Sequence, residues 1–300
     1  MNWKSLAEAL RLRPDRGRAG FVAVMLSGAS ATMTESVAIV PTPGEELAEI
    51  PPTDQLSPAE ILELAAKAQA AESDPKLASK DLRLEVQMMV RYRRDQTDIT
   101  CLAERRFKAP HFIYTRLEAE SITKEGFDGT RGWIWKEGAT SYYTGPESVE
   151  DRRKLQRDID ETALLGKVFF LSNLGEEVES WERLKDVDAR GGATHVIEGI
   201  SRKKHAGFGT KAPSGDAEAE KPRLRLFLRR DSHELAGCRW IQGDQNLQLW
   251  FSGHRKNAEG VIVPMHIEIL ENDEKKPSKT IDVQSLSFRP EFSEKSFCPG

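Results

Sequence analysis

The sequence predicts a mainly β protein with helices, of the α+β class, whose strands form an antiparallel sheet. Short segments of alternating apolar and polar residues recur at intervals of about 8–12 residues, which is typical of antiparallel strands joined by turns. The dipeptide Asp128-Gly129 favours a tight turn between two of them. Trp133 and Trp135 are two residues apart in the strand that follows, so both rings lie on one face. We expect the sheet to enclose an apolar interior.

An amphipathic helix precedes the strands. Ser57-Pro58-Ala59-Glu60 has the pattern of a capping box with proline at the first helical position. The helix continues to about residue 71, and Asp74-Pro75 ends it. Its apolar stripe consists of Ile61, Leu64, Ala65 and Ala68.

The strands begin where the spacing of apolar residues changes from helical to alternating. In the first strand, which ends near Arg94, Leu82, Leu84, Val86 and Met88 alternate with polar residues. The second ends near Phe107, and four more are predicted near residues 111–118, 120–127, 131–136 and 141–143. Later strands are predicted near residues 177–186, 193–201, 223–229, 247–251, 261–269 and 279–288.

Two segments interrupt this pattern. Residues 147–172 are predicted to form a helix that is half apolar, which suits a lid on an open sheet. Residues 202–222 are rich in Lys, Gly, Ala, Ser and Glu and have no periodicity, so we expect a mobile loop.

The first 31 residues have the features of a secretory signal peptide. Basic residues precede the apolar run Phe21-Val22-Ala23-Val24-Met25-Leu26, and Ala29-Ser30-Ala31 fits the cleavage pattern. The alternative is an uncleaved tail or membrane tether, although this run is far shorter than the about 20 residues that span a bilayer. Residues 32–56, with prolines among acidic residues, are predicted to be a disordered linker. Residues 57–300 then form a single domain, and we expect a periplasmic or otherwise exported protein.

The composition excludes some classes of partner. The formal net charge is −4 and charged residues of both signs make up 31% of the chain, so a general nucleic-acid binder is not expected. Cys101, Cys238 and Cys298 have no metal-ligand spacing and leave at least one thiol unpaired. Any two of them are candidates for a disulfide in an oxidising compartment.

The sequence has no motif that indicates catalysis. It contains no Gly-x-Ser-x-Gly elbow, and no two histidines are separated by two, three or four positions. Gly207-Phe208-Gly209 lies in the charged loop and not between a strand and a helix. We therefore expect a non-enzymatic protein without a catalytic residue, metal site or cofactor.

The order of these elements resembles the outer-membrane lipoprotein carrier (LolA-like) superfamily over about residues 58–300. The initial helix and the long first strand correspond to the start of that family. Lys108-Ala109-Pro110-His111-Phe112 resembles its basic-x-Pro-x-aromatic turn, although lipoprotein carriers commonly have an arginine where Ala109 stands. Asp128-Gly129 and the strand around Trp133 resemble its turn and aromatic strand, and Phe297-Cys298-Pro299-Gly300 resembles its closing segment.

The resemblance implies an antiparallel sheet curled into a half-open β-barrel, covered by the N-terminal helix and a helical lid, with a cavity for acyl chains. Candidate cavity residues are Met88, Trp133, Trp135, Leu226, Leu249 and Met265. Arg105 and Lys108 are candidates for steering an anionic headgroup at the rim. The alternative for the cavity residues is ordinary core filling, and for the two cations it is a solvated basic edge strand.

Three functions follow from this interpretation. The first is non-enzymatic binding of lipid or lipoprotein acyl chains for carriage through the periplasm. Its partners are a lipid or acylated protein and a membrane-bound donor or acceptor, and the protein is expected to be monomeric. The alternatives are an envelope sensor or regulatory domain of the same fold that binds a partner protein, and a scaffold with a filled barrel.

Overall fold

The computed structural model of this protein describes most of the chain after residue 54. The described residues are 49–50, 55–70, 83–94, 97–109, 112–119, 121–144, 149, 151, 155, 171, 174, 178–202, 221–242, 245–271, 276–288 and 290–299. The predicted signal peptide therefore lies outside the described residues, as do all but the ends of the predicted loop 202–222.

Helix α1, Pro58–Ala70, begins at the predicted capping box. The backbone N–H of Glu60 donates to Ser57 Oγ at 3.3 Å, and the Ser57 backbone N–H donates to the Glu60 carboxylate at 2.8 Å. This backbone hydrogen bond, with a second one from the Ser57 hydroxyl, lowers the pKa of Glu60. The sequence prediction of this helix and of its start is confirmed.

The strands agree closely with the predicted ones in the first half of the chain. Strand β1 is Glu49–Ile50, inside the segment predicted as linker. Strands β2 to β7 are Arg83–Arg94, Thr97–Lys108, Phe112–Glu118, Ile122–Phe127, Gly132–Lys136 and Ala139–Tyr142. Strands β8 to β13 are Val178–Arg183, Asp186–Asp188, Ala193–Ser201, Arg223–Arg229, Leu235–Gln242 and Gln245–Ser252. Strands β14 to β17 are Arg255–Lys256, Ile262–Val263, His266–Glu271 and Lys279–Ser287, and a 3₁₀ helix follows at Glu294–Phe297.

Fifteen of these strands form one antiparallel sheet. Their order is β1-β9-β10-β11-β12-β13-β16-β17-β2-β3-β4-β5-β6-β7, and β8 pairs with β10 beside this path. The sheet is open, because no pairing among the described residues joins β1 to β7. The prediction of a mainly β, antiparallel α+β fold is confirmed at this level.

Strand β12 has no counterpart among the predicted strands. It begins Leu235-Ala236-Gly237-Cys238, which has no alternation of apolar and polar residues. Leu235 and Cys238 are buried in one apolar cluster and Ala236 in another, because the register with β11 shifts between Leu235 and Gly237. The two faces of β12 pack in different clusters, one with Leu249 and one with Trp250. A strand that is buried on both faces has no alternation of apolar and polar residues, and this alternation is the pattern by which strands are recognised in a sequence.

Pro264 divides the strand that was predicted over residues 261–269. Before it, β15 pairs with β14 in a separate two-stranded sheet, and after it β16 joins the main sheet between β13 and β17. Proline has no backbone N–H to donate and is therefore excluded from the interior of a central strand. The predicted strand at 177–186 is likewise divided into β8 and β9.

The predicted lid helix, residues 147–172, lies mostly outside the described residues. Within it, Val149, Asp151 and Leu155 are helical, and Leu155 is buried in the apolar cluster that contains Leu84 and Phe107. Leu171 and Leu174 belong to the main core cluster.

Candidate ligand-binding face

One face of the sheet, here called the inner face, carries the side chains of the main core. A row of cross-strand neighbours, here called the central row, crosses seven strands from β10 to β2. It consists of Ile197, Leu226, Cys238, Leu249, Ile269, Lys279 and Tyr92. At about 4.8 Å per strand spacing the row is about 29 Å wide measured along the sheet.

A second row on the same face contains both methionines that were predicted for the cavity. The Val283 backbone N–H donates to Met265 O at 2.8 Å, and Val283 lies opposite Met88. Met88 in turn lies opposite Ala103, and Ala103 lies opposite Leu117. Four of the six predicted cavity residues, Met88, Leu226, Leu249 and Met265, therefore lie on one face and in one core cluster.

Helix α1 lies against this face. Its buried residues Ile61 and Ala65 belong to the same core cluster, and the helix contacts both β8 and β15. Gln69 continues the buried stripe, and neither polar atom of its side-chain amide has a hydrogen-bond partner within the described residues.

The two tryptophans that were predicted to line the cavity lie on the opposite face. Trp133 pairs with Gly126, and Gly126 pairs with Tyr114. The residues of this row alternate with those of the inner face, so they belong to the outer face of the sheet. Trp133 is fully buried, packs against Tyr114 and Phe297, and donates its indole N–H to Phe297 O at 2.9 Å. Trp135 is partly buried on the same side, with Lys124 Nζ 4.8 Å from its ring centroid. Their predicted placement is corrected, because alternation shows that two rings share a face but not which face is covered.

The absence of a side chain at Gly126 makes room for the Trp133 ring. A Cβ atom on Gly126 would lie 2.7 Å from the Trp133 ring and 2.7 Å from Ile113 O. The turn before this strand is the predicted one, since Asp128 Oδ1 accepts hydrogen bonds from the backbone N–H groups of Thr130 and Arg131. Gly129 has φ +90°, in the left-handed region that favours glycine.

The two predicted rim cations are separated by the sheet. Arg105 is in phase with the inner face, is 2% exposed, and donates Nε–H to Thr115 Oγ1 at 3.2 Å. Lys108 is on the outer face, with Nζ 5.4 Å from the ring centroid of Phe112. The prediction that both cations lie at one headgroup site is therefore wrong. Of the two, only Arg105 lies on the inner face.

Two polar residues of the inner face, Tyr92 and Lys279, were not predicted from the sequence. They are cross-strand neighbours, and Lys279 Nζ lies 4.9 Å from the Tyr92 ring centroid. Burial, and then the neighbouring Cys101, raises the pKa of Tyr92, and burial also raises the pKa of Cys101. A signal was present in the sequence, because Lys279 is in phase with Ile281 and Val283 on the apolar side of its strand.

A buried ionic network lies where the inner face meets β8 and β9. Asp186 is completely buried, and its Oδ2 lies 3.2 Å from His195 Nδ1 and 3.3 Å from the Arg183 guanidinium. Arg183 also donates to Leu56 O at 2.7 Å. The network thus connects the residues just before α1 to one side of the sheet.

The described residues contain no group of three or more His, Cys, Asp or Glu side chains that could hold a metal ion. Among the helices described, none has both the length and the apolar character needed to cross a membrane.

No family model matches this chain, and no curated protein matches it. Several solved structures are similar to it at low identity. A DUF1329 family protein from Desulfovibrio piger is 11% identical, with a TM-score of 0.46 over 79% of this chain and 95% of that one. A LolA superfamily protein from Nitrosomonas europaea is 11% identical, with a TM-score of 0.46 over 82% of this chain and 99% of that one. A putative outer membrane lipoprotein-sorting protein domain from Vibrio parahaemolyticus is 12% identical, with a TM-score of 0.44 over 79% and 95%.

Proposed function

We propose that this protein binds a lipid, or the acyl chains of a lipoprotein, on its inner face and carries it without catalysing a reaction. The observation that supports the proposal is the extent of the inner face. Five of the seven residues in the central row are apolar or a thiol, and the second row adds the two adaptable methionines Met88 and Met265.

We infer that the sheet curls into a half-open barrel around this face. Helix α1, at 13 residues, is about 20 Å long and about 10 Å wide, so it covers only part of a face about 29 Å across. Its contacts nevertheless reach both β8 and β15, and β15 packs through Val263 in the cluster that contains Leu84 and Phe107 of β2 and β3. Curvature of the sheet explains how one short helix meets elements at both sides.

We assign the role of lid to residues 147–172. Leu155 is helical and buried in the cluster with Phe107 and Ile113, at the end of the inner face. Leu171, inside this range, and Leu174, two residues beyond it, are buried in the main core cluster. A segment that contacts the inner face at Leu155 and again at Leu171 is suited to cover a ligand.

The energetics suit reversible carriage. Burial of each methylene contributes about 0.8 kcal/mol, while association and ordering together cost about 4–15 kcal/mol. A long acyl chain therefore retains a net several kcal/mol, and this allows it to be taken up and released. We place this carriage in the periplasm, between a membrane-bound donor and acceptor.

Native mass spectrometry of the full chain, expressed with export to a bacterial periplasm, tests the proposal. We expect a bound mass that disappears on solvent extraction and that is identified as lipid in the extract. A mass equal to that of the chain alone, together with no uptake of a neutral apolar fluorophore, would reject carriage. The sensor or scaffold role of the same fold would then be the better assignment.

A further inference from the structure

We propose that Gln69 selects acyl chains that are attached to the amino group of an amino-acid residue. This inference rests on the proposed function and adds to it the chemistry of the polar end of the ligand. Gln69 lies in the last turn of α1 and is completely buried. Neither its Oε1 nor its Nε2 has a hydrogen-bond partner within the described residues.

The position of Gln69 on α1 is one that an apolar residue would ordinarily occupy. Ile61, Ala65 and Gln69 are spaced by four residues and form one buried stripe against the inner face. Three other polar residues of the helix are exposed on its opposite side: Glu60, Glu63 and Lys67. The helix is therefore amphipathic, and Gln69 is a polar member of its apolar stripe.

A buried side-chain amide without a partner destabilises the folded protein. It loses the hydrogen bonds that it makes with water in the unfolded chain, and buried polar side chains in folded proteins nearly always have a partner. An apolar side chain of similar size at this position would avoid the loss. A ligand that uses both amide atoms explains why glutamine occupies the position.

The chemistry of the Gln69 amide restricts which ligands can use both atoms. Oε1 accepts a hydrogen bond and Nε2 donates one, and the two atoms lie side by side in one plane. An ester-linked chain and an ionised fatty acid present only acceptors, so either of them would leave Oε1 without a partner. The ligand that satisfies both atoms has a donor beside an acceptor.

An N-acylated amino-acid residue presents this pair of groups. In an extended residue the N–H and the C=O point to the same side, as they do in the hydrogen-bonded pairs of an antiparallel sheet. The N–H donates to Oε1 of Gln69, and the C=O accepts from Nε2. Because that N–H belongs to the amide that carries the acyl chain, the chain begins at Gln69.

Apolar side chains are available to the chain from this point. Ile61 and Ala65 share the main core cluster with the apolar residues of the central row, and the partly buried Leu62 and Ala66 pack against the same cluster. From Gln69 back to Ile61 the buried stripe is about 12 Å long. A chain held at Gln69 therefore has apolar side chains of both the helix and the inner face beside it.

Displacement of a neutral fluorophore, N-phenylnaphthylamine, from the full-length protein tests the inference. The matched competitors are N-decanoylglycine methylamide and its ester analogue, in which an oxygen atom replaces the N–H of the acyl amide. We expect the amide to displace the fluorophore at a concentration about tenfold lower than the ester does, which corresponds to about 1.4 kcal/mol.

A third competitor, N-decanoylglycine, distinguishes two sources of the ligand. It has the same acyl amide and a free carboxylate, as an acylated amino-acid lipid does, whereas the methylamide represents the end of an acylated protein. The stronger competitor of the two identifies the source.

Variants connect the preference to Gln69. Gln69→Leu removes both polar atoms, and we expect it to abolish the difference between the amide and the ester while the ester competes as before. Gln87→Leu makes the same change at an exposed position of β2 and should leave the preference unchanged. Gln69→Met retains the length of the side chain and is the second variant if Gln69→Leu does not fold.

Urea unfolding in the absence of ligand gives an independent readout. Gln69→Leu should unfold at the same urea concentration as the wild type or at a higher one, because it removes two buried atoms that have no hydrogen-bond partner within the described residues. A lower midpoint in both Gln69→Leu and Gln69→Met would show that the fold itself uses the amide, and it would overturn the assignment to a ligand.

The outcomes distinguish the two proposals. If the fluorophore does not bind, or no competitor displaces it, the proposed function fails and this inference fails with it. If the ester competes as well as the amide in the wild type, lipid binding stands and selection by Gln69 is overturned. A preference for the amide that persists in both Gln69 variants overturns the assignment to this residue.

Discussion

The indole N–H of Trp133 donates to the carbonyl oxygen of Phe297 at 2.9 Å, across 164 positions of sequence. Phe297 is itself buried, and its ring lies 5.3 Å from that of Phe112 and 5.0 Å from that of Phe292. The C-terminal 3₁₀ helix is thereby fixed to the outer face of β4 and β6. This contact explains why the most conspicuous aromatic residue of the sequence is not in the predicted cavity.

Trp133→Phe should destabilise the protein by about 1–3 kcal/mol, because it leaves the buried Phe297 carbonyl without its donor. Urea unfolding measures the effect. Trp135→Phe is the matched control, since Trp135 is only partly buried, and it should change stability less. Lipid binding should be unchanged in both variants, and loss of binding in Trp133→Phe with normal stability would contradict the outer-face assignment.

Arg183→Met should destabilise the protein by about 3 kcal/mol, because it removes a partner of the completely buried Asp186 carboxylate. It also removes the hydrogen bond to Leu56 O, so hydrogen exchange in the first turn of α1 should accelerate. Chemical denaturation and hydrogen-exchange mass spectrometry provide the two measurements.

Arg223→Met is the control for Arg183→Met. Arg223 pairs with Glu198 near the surface, where ion pairs contribute at most about 1 kcal/mol. An equal loss of stability in the two variants, or unchanged exchange in α1, would show that the Arg183 network does not anchor the helix.

Thermal stability should fall as the pH rises past the pKa of His266. The Glu268 carboxylate, 3.8 Å from Nε2, and then the Asp282 carboxylate, hydrogen-bonded to Nδ1 at 2.6 Å, raise the pKa of His266 above its ordinary value of 6.5. The folded state therefore binds the proton more tightly than the unfolded state. The resulting stabilisation is fully present below the unfolded pKa and is lost as pH rises through the folded pKa.

The pH dependence of melting temperature in the wild type and in His266→Gln measures this contribution. We expect the variant to lose the decline above about pH 6.5 and to match the wild type best at alkaline pH. His266 and Asp282 are both partly exposed, so added salt should reduce the difference. Identical profiles in the two proteins would exclude a contribution from this pair.

Ala103→Leu should weaken lipid binding, because the larger side chain enters the inner face between Met88 and Leu117. We expect the dissociation constant of a fluorescent fatty acid to rise about tenfold, with a loss of stability of about 1–3 kcal/mol from overpacking. Ala139→Leu makes the same change on the exposed edge strand β7 and should affect neither quantity. Equal affinities in the two variants would count against a ligand site at Ala103.

The prediction of local structure succeeded where the polar and apolar residues alternate clearly. The capping box at Ser57 and the Asp128-Gly129 turn both formed as predicted, because each depends on hydrogen bonds within four residues. Strand β12 was missed because its two faces pack in different apolar clusters, so no polar phase marked it. In the candidate site, Met88, Leu226, Leu249 and Met265 share the inner face, and their role in a cavity stays a prediction, whereas Lys279 and Tyr92 of the same face were not predicted.

The sequence by itself determined the class of the fold, the phase of most strands and the start of α1, since these depend on neighbours along the chain. Only the tertiary structure decided which of the two alternating sets of β6 side chains lies on the outer face. That choice depends on Phe297, which covers Trp133 from the far end of the chain. Likewise, the pairing of β17 with β2 brought Lys279 beside Tyr92. Alternation separates the side chains of a strand into two sets, and long-range packing then assigns each set to a face.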